Sequence, residues 1–199
     1  MLFRSHIVHE SIADQYAAKL AEKARHLHVG NPFTDQVHLG PIVNEKQAAR
    51  VEQLLEASVA AGARVLAGGR RQGLNFAPTV LTGVTTAMPI YAEEIFGPVA
   101  PIVSFKTEDE AVALANGVSY GLVTSVFTRN LARAMRLADK LHTGIVHIND
   151  QTVLHEVFGP IGGTGISGNG ARSGGPSVMD EYSQWQWVTV NEEIPPYPF

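Results

Sequence analysis

Two adjacent carboxylates, Glu93 and Glu94, stand directly before Ile95-Phe96-Gly97-Pro98 and an apolar run. Adjacent side chains point about 100° apart on a helix or to opposite faces of a strand, so this pair cannot converge on one substrate atom as an acid/base dyad. At most one of the two carboxylates faces a site. Composition alone favours a solvated turn at this point, with Phe96 in the core.

A glycine-rich segment, residues 159–175, holds 8 of the 19 glycines. Its buried-type residues, Ile161 and Ile166, favour a packed loop over a linker. Residues 163–168 satisfy the G-x-G-x-x-G spacing, but they do not follow a strand and open a helix, as a dinucleotide-binding fingerprint does. Ser167 misses the G-x-S-x-G nucleophile pattern at one glycine, and a loop serine between glycines is most often a turn residue.

Eight histidines make a metal site the next hypothesis to examine. The pairs that lie nearest in sequence are His6 and His9, His26 and His28, and the more distant His142 and His147. No H-E-x-x-H zinc motif is complete, because Ala13 stands where a second histidine should follow His9-Glu10, and Gly159 where one should follow His155-Glu156. We expect scattered surface or hydrogen-bonded histidines and no metal.

The chain contains no cysteine among its 199 residues. This excludes disulfides, thiolate metal sites and any mechanism in which the chain itself supplies a thiol nucleophile. A net charge of −4 with a longest basic run of Arg70-Arg71 argues against a nucleic-acid partner. No window approaches the about 18 apolar residues of a membrane span, and Met1-Leu2-Phe3-Arg4 is too short for a signal-peptide core. We expect a cytoplasmic protein with no membrane partner.

Two amphipathic helices are predicted in the first third of the chain. The first is capped at Ser11 and runs to about Leu27. The second opens at Asn44, which forms a capping-box pattern with Gln47, and ends at Gly62, a residue type that favours the C-terminal turn of a helix.

Strands dominate the rest of the prediction. Residues 63–67 and 76–82 read as short strands, the second pushed toward a sheet edge by Pro78. From residue 99 onward apolar strands alternate with helices, which is typical of βαβ units. We therefore predict an α/β fold over residues 40–150, with a mostly parallel sheet buried on both faces and flanked by helices. A further strand is expected over residues 182–190.

The segment Glu93-Glu94-Ile95-Phe96-Gly97-Pro98, followed by a hydrophobic strand, resembles the E-E-x-F-G-P motif of the aldehyde dehydrogenase superfamily. Other motifs of the family occur in the right order. They are Asn116 with Tyr120-Gly121-Leu122, the strand Gly144 to Asn149, and the loop Pro160-Ile161-Gly162-Gly163 with Ser167-Gly168. The similarity extends from about His6 to Val190. Residues 149–152 and the tryptophan-containing end resemble the benzaldehyde and vanillin dehydrogenase branch.

The resemblance implies a reaction in which a cysteine thiolate attacks an aldehyde, NAD or NADP accepts the hydride, and a glutamate activates the water that releases the acid. It implies that Glu94 hydrogen-bonds the nicotinamide ribose and that Phe96 packs beside the nicotinamide. Ile161 replaces the family's usual Phe near the aldehyde tunnel. The cysteine, the base and most of the cofactor domain of the family lie N-terminal to the matched region, so no catalytic residue is assigned to this chain.

Two interpretations remain open. The first is the C-terminal portion of an NAD(P)-dependent aldehyde dehydrogenase that acts on a small aromatic aldehyde and is inactive in isolation. In it, residues 1–181 are a partial catalytic domain, residues 182–199 are an oligomerisation strand and tail, and the complete protein is a homo-oligomer. The second interpretation is a non-catalytic assembly module derived from the family.

Overall fold

The computed structural model describes residues 5–154 and 156–196, so Met1 to Arg4, His155 and the end of the expected tail lie outside the described residues. The helices are α1 (Glu10–Arg25), α2 (Glu45–Ala60), α3 (Pro89–Ala92), α4 (Glu108–Asn116), α5 (Leu131–Ala138) and α6 (Ser177–Tyr182). The strands are β1 (His6–His9), β2 (Arg64–Ala67), β3 (Arg71–Gln72), β4 (Asn75–Phe76), β5 (Thr79–Thr82), β6 (Val99–Phe105), β7 (Tyr120–Gly121), β8 (Val123–Val126), β9 (Ile145–Ile148) and β10 (Thr164–Gly165). None of these helices is both long and apolar enough to cross a membrane.

The first helix begins earlier than predicted. His9 is the N-cap of α1, and its imidazole accepts a hydrogen bond from the Ser11 amide, so Ser11 lies inside the first turn. The cap of α2 is confirmed, since the Asn44 side chain accepts from the Gln47 amide at 2.9 Å. Gly62 follows the end of that helix with a φ of 108°, a value that favours glycine.

The main sheet has four strands in the order β1-β6-β5-β2. Strands β1 and β5 run parallel to β6, and β2 runs antiparallel to β5. The expectation that Pro78 pushes its strand to a sheet edge is wrong. β5 begins at Thr79, one residue after the proline, so the missing proline amide does not interrupt the ladder and β5 lies inside the sheet.

Both faces of this sheet are covered, as predicted. Successive strand residues point to opposite faces, so Val80 and Ile102 pack with the alanine-rich face of α1. On the other face, Leu81 and Val103 share a core cluster with Val51 of α2. The α/β class and the parallel-rich sheet are therefore confirmed.

The predicted single α/β layer over residues 40–150 is corrected in one respect. Strands β8 and β9 pair in parallel with each other across α5, but they form a separate two-stranded sheet whose residues are only half-buried. Both edges of β6 pair with β1 and β5, and neither β8 nor β9 pairs with a described strand of the main sheet.

The glycine-rich segment is a packed loop, as expected. Its strand β10 pairs antiparallel with β7, and Ile161 and Ser173 exchange two backbone hydrogen bonds of 2.6 and 2.9 Å. Gly163 is buried, and a Cβ at this position would lie 2.3 Å from the Ser167 carbonyl oxygen. The G-x-G-x-x-G spacing thus serves close backbone packing within the loop.

The strand expected over residues 182–190 is not formed. Tyr182 ends α6, and residues 183–190 adopt no regular structure, with Trp185 and Trp187 98% and 92% exposed. A strand needs a neighbour for its backbone groups, and within the described ranges no strand pairs with this segment.

His6 and Tyr16 join β1 to α1 at a point that responds to pH. The His6 Nδ1 atom lies 2.6 Å from the Tyr16 hydroxyl oxygen, and the two rings pack with centroids 5.8 Å apart. Burial disfavours the charged imidazolium and so lowers the pKa of His6 from its ordinary value of 6.5. Burial also raises the pKa of the Tyr16 hydroxyl.

Because the folded-state pKa of His6 lies below the unfolded value, the unfolded chain binds this proton first as the pH falls. The stability of the fold is therefore expected to decrease below about pH 7, by at most about 1.4 kcal/mol per pH unit from this group. Urea unfolding between pH 7.5 and 5 measures the slope. His6→Gln is expected to flatten it, whereas His142→Gln, at an exposed position, leaves it unchanged. Equal slopes for His6→Gln and the parent chain would contradict this assignment.

Candidate functional site

The predicted cofactor-binding residues lie on one loop, residues 93–98, between α3 and β6. Pro89 starts the single turn of α3, and the Glu93 amide donates to the Pro89 carbonyl at 3.0 Å as the helix ends. Extended backbone follows, and β6 begins at Val99. The 93–98 loop therefore joins a short helix to a strand inside the main sheet.

Neighbouring side chains of this loop differ in burial. Ile95 is 4% exposed and belongs to the core cluster of α2, whereas Phe96 is 57% exposed and Glu94 is half-buried. The expectation from composition that Phe96 fills the core is wrong, because Ile95 occupies that place. Phe96 has a φ of 45°, in the left-handed region that bulky residues rarely adopt.

Helix α2 contacts the loop through three residues at positions i, i+3 and i+4. The Gln47 side-chain amide donates to the Ile95 carbonyl at 2.8 Å and to the Phe96 carbonyl at 3.4 Å. Arg50 forms a 2.7 Å ion pair with Glu93. A Cβ at Gly97 would lie 2.8 Å from a Val51 methyl carbon, so the loop approaches α2 as closely as only glycine permits.

From the sequence, Gln47 is predicted only as half of a capping box, and its pattern does not connect it with the loop. In the structure the Gln47 side chain turns to the loop carbonyls instead of returning to the cap. The helical spacing of Gln47 and Arg50 with the apolar Val51 was the available signal, but a spacing does not indicate which loop the face contacts.

The two adjacent carboxylates have different environments, as their divergent directions predicted. Glu93 is paired with Arg50. The Glu94 carboxylate makes no hydrogen bond or ion pair with any part of the chain that the structure describes. A half-buried carboxylate with free acceptor atoms beside an exposed aromatic ring can accept hydrogen bonds from a diol and pack against a planar ring. This arrangement fits a ribose with an attached heterocycle.

Ile161 lies on the glycine-rich loop, apart in sequence from the 93–98 loop. It is half-buried, and its backbone is fixed by the paired hydrogen bonds to Ser173. Arg172 donates to the Gly163 carbonyl at 3.2 Å and further fastens the loop. Ser167 accepts a hydrogen bond from the Gly121 amide at 3.2 Å, so its hydroxyl has the structural role expected of a turn serine.

A shallow cavity of about 280 Å³ lies between α3 and α4. Tyr91, Ala92 and Leu114 contribute to its wall, and Glu94 and Phe96 do not. Within residues 5–154 and 156–196, no three His, Asp or Glu side chains are grouped so that they could hold a metal ion. The candidate ligand site is therefore the exposed surface of the 93–98 loop.

Comparison with known proteins shows similarity over nearly the whole chain. Residues 1–188 match the sequence pattern of the aldehyde dehydrogenase family. The chain is 50% identical to the NAD(+) benzaldehyde dehydrogenase of Pseudomonas putida and 47% identical to a vanillin dehydrogenase of Amycolatopsis sp., in each case over 98% of its own length.

Solved structures agree with the sequence relatives. The salicylaldehyde dehydrogenase of Pseudomonas putida, complexed with salicylaldehyde, superimposes with a TM-score of 0.91 at 38% identity over 98% of this chain and 40% of its own. A betaine aldehyde dehydrogenase of Staphylococcus aureus in complex with NAD+ gives a TM-score of 0.84 at 35% identity over 90% of this chain and 37% of its own.

The chain spans about 40% of the length of the curated benzaldehyde and vanillin dehydrogenases that it matches. Within that span the match is nearly continuous, and it includes the 93–98 loop, the glycine-rich loop and the strands between them. On this evidence the chain belongs to the aldehyde dehydrogenase family.

Proposed function

We propose that this chain is the C-terminal, nicotinamide-holding portion of an NAD-dependent aldehyde dehydrogenase that oxidises an aromatic aldehyde to the carboxylic acid. The observation that carries the proposal is the 93–98 loop, in which the Glu94 carboxylate, without a hydrogen-bond or ion-pair partner among the described residues, stands two positions before the exposed Phe96. The NAD+ named for the relatives favours NAD over NADP. The relatives named for benzaldehyde, vanillin and salicylaldehyde favour an aromatic substrate.

In this reaction the residues of the chain bind and orient the cofactor and the aldehyde. The Glu94 carboxylate accepts hydrogen bonds from the ribose hydroxyls and thereby sets the rotation of the sugar. The Phe96 ring packs beside the nicotinamide and excludes water from it. The aliphatic side chain of Ile161 contributes an apolar wall to the aldehyde pocket. When bound, the nicotinamide supplies the hydride acceptor.

The remaining chemistry requires groups that this chain does not carry. The family's nucleophile is a thiolate, and the sequence contains no cysteine. The one serine that resembles a nucleophile pattern, Ser167, is hydrogen-bonded to the Gly121 amide. We therefore propose that the thiol and the general base come from residues outside this sequence and that the isolated chain does not oxidise aldehydes.

The purified chain is expected to produce no NADH from NAD+ and benzaldehyde, vanillin or aliphatic aldehydes. Without a thiol there is no covalent intermediate, and loss of the nucleophile in enzymes of this kind costs many orders of magnitude in rate. NADH absorbance measures the reaction, with a full-length benzaldehyde dehydrogenase as the positive control. Turnover above the solvent background, in a preparation free of host dehydrogenase, would contradict the proposal.

Glu94→Gln is expected to weaken binding of nicotinamide mononucleotide to the chain about tenfold, because a neutral amide oxygen accepts hydrogen bonds from hydroxyls more weakly than a carboxylate does. An NMR titration followed at the Phe96 backbone amide gives the affinity. Glu56→Gln is the matched control, since Glu56 is exposed on α2 and carries the same charge. Equal affinities for all three proteins would return Glu94 to the role of a solvated turn residue.

Assembly is the second candidate function, and one observation favours it. The segment of residues 183–190 exposes Trp185 and Trp187 almost completely, together with Val188 and Val190. Apolar side chains exposed in a continuous run are typical of a surface that another protein covers. We propose that this segment makes the complete protein a homo-oligomer. The isolated chain is then expected to self-associate.

Light scattering on the chain tests this expectation. The parent chain is expected to form soluble aggregates, and changing both Trp185 and Trp187 to Lys is expected to reduce their size, because the added charges oppose association of apolar surfaces. Phe33→Lys is the control, since Phe33 is 96% exposed in another part of the chain. A monodisperse parent monomer, or an unchanged size distribution in the double variant, would show that these tryptophans do not drive association.

A further inference from the structure

We propose that Gln47 is a positioning residue that holds the 93–98 loop in the conformation presenting Glu94 and Phe96 to the cofactor. This inference rests on the proposed function, since it concerns how the nicotinamide-binding residues are oriented. Gln47 itself is assigned no contact with the cofactor. Its side chain acts through the backbone of the loop.

The hydrogen-bond geometry supports this role directly. One amide nitrogen, the Gln47 Nε2, donates to two successive carbonyls, those of Ile95 and Phe96, at 2.8 and 3.4 Å. The two acceptors belong to the peptide units on either side of the Phe96 Cα atom, from which the Phe96 side chain projects. These contacts join residues that lie 48 and 49 positions apart in sequence, so they fix the loop relative to a distant helix.

The loop needs such support because its conformation is strained. Phe96 has a φ of 45°, in the left-handed region that is unfavourable for residues other than glycine. A strained residue persists only where its surroundings hold it. The exposed Phe96 ring has few neighbours of its own, whereas the two carbonyls beside it are bound from α2.

Helix α2 is a rigid platform for this contact. Ala48 and Val51, which follow Gln47 by one and four positions, are fully buried. Asn44 caps the start of the helix. Arg50 pairs with Glu93 from the same face, which leaves the Glu94 carboxylate as the unpaired acceptor of the two among the described residues. Because α2 is packed in the core, the hydrogen bonds from Gln47 fix the backbone of the 93–98 loop relative to the core.

Gln47→Glu separates a positioning role from a general structural role. The variant keeps the shape of the side chain but replaces the donating amide with a carboxylate, which repels the two carbonyls. Residue 47 is the third residue of α2, where glutamate stabilises a helix N-terminus. The unfolding free energy is thus expected to stay the same or increase while the loop loosens.

The experiment combines three measurements on the full chain: urea unfolding, backbone chemical shifts with amide exchange for residues 94–97, and titration with nicotinamide mononucleotide. In Gln47→Glu we expect shifted loop resonances, faster exchange and an affinity at least fivefold weaker, with no loss of stability. Gln47→Met, which lacks both donors and carries no charge, is expected to show the same loop shifts, faster exchange and weaker affinity, so the effect cannot come from repulsion of Glu94. Gln53→Glu, on the exposed face of α2, is the matched control.

The outcomes distinguish this inference from the proposed function. Unchanged loop shifts and unchanged affinity in Gln47→Glu and Gln47→Met would overturn the positioning role and leave the proposed function intact. If both variants lost as much unfolding free energy as binding free energy, the positioning role would also be overturned. The role of Gln47 would then be structural. If the parent chain shows no nucleotide-dependent shift at residues 94–97 while both variants loosen the loop, the positioning of the loop is supported and the proposed function fails.

Discussion

The seating of helix α2 on the four-stranded sheet is the constraint on which the candidate site depends. Val51 is fully buried in the core beside the sheet, and its methyl groups limit how closely the 93–98 loop can approach at Gly97. The helix is held from its other side by Arg71 of the β3–β4 hairpin, which pairs with Glu45 and Glu52. The position of the helix fixes the positions of the loop residues that contact it, because packed elements leave little free space between them.

One consequence is that the four consecutive loop residues 93–96 have different environments. Glu93 is neutralised by Arg50, and Ile95 fills the core against α2. Glu94 is half-buried and has no hydrogen-bond or ion-pair partner among the described residues, and Phe96 is exposed. A short loop between a helix and a strand thus closes the core with Ile95 and leaves a carboxylate and an aromatic ring accessible to solvent.

A second consequence concerns the distribution of chemistry within the family. The residues of this chain that resemble functional positions of the family, Glu94, Phe96 and Ile161, include no nucleophile, and the sequence carries no thiol. The glycine-rich loop and Ser167, whose patterns suggest phosphate binding or nucleophilic attack, are engaged in close backbone packing instead. The chain thus exposes both the Phe96 ring of the 93–98 loop and the tryptophan segment of residues 183–190.

The sequence by itself determined local features: the helix start at Asn44, whose side chain accepts from the amide three residues ahead, and the α/β class that follows from apolar strands alternating with helices. Ordered motifs also identified the family and selected Glu94 and Phe96 as candidate site residues. Those features depend on residues within a few positions of one another. Tertiary structure alone decided that β1 takes the second edge of β6, that the strand after Pro78 lies inside the sheet, and that residues 183–190 stay unpaired. It also decided that the Gln47 side chain donates to the carbonyl of Ile95, 48 residues away, and not to the helix cap. Contacts between distant segments depend on how whole elements pack and not on any local pattern.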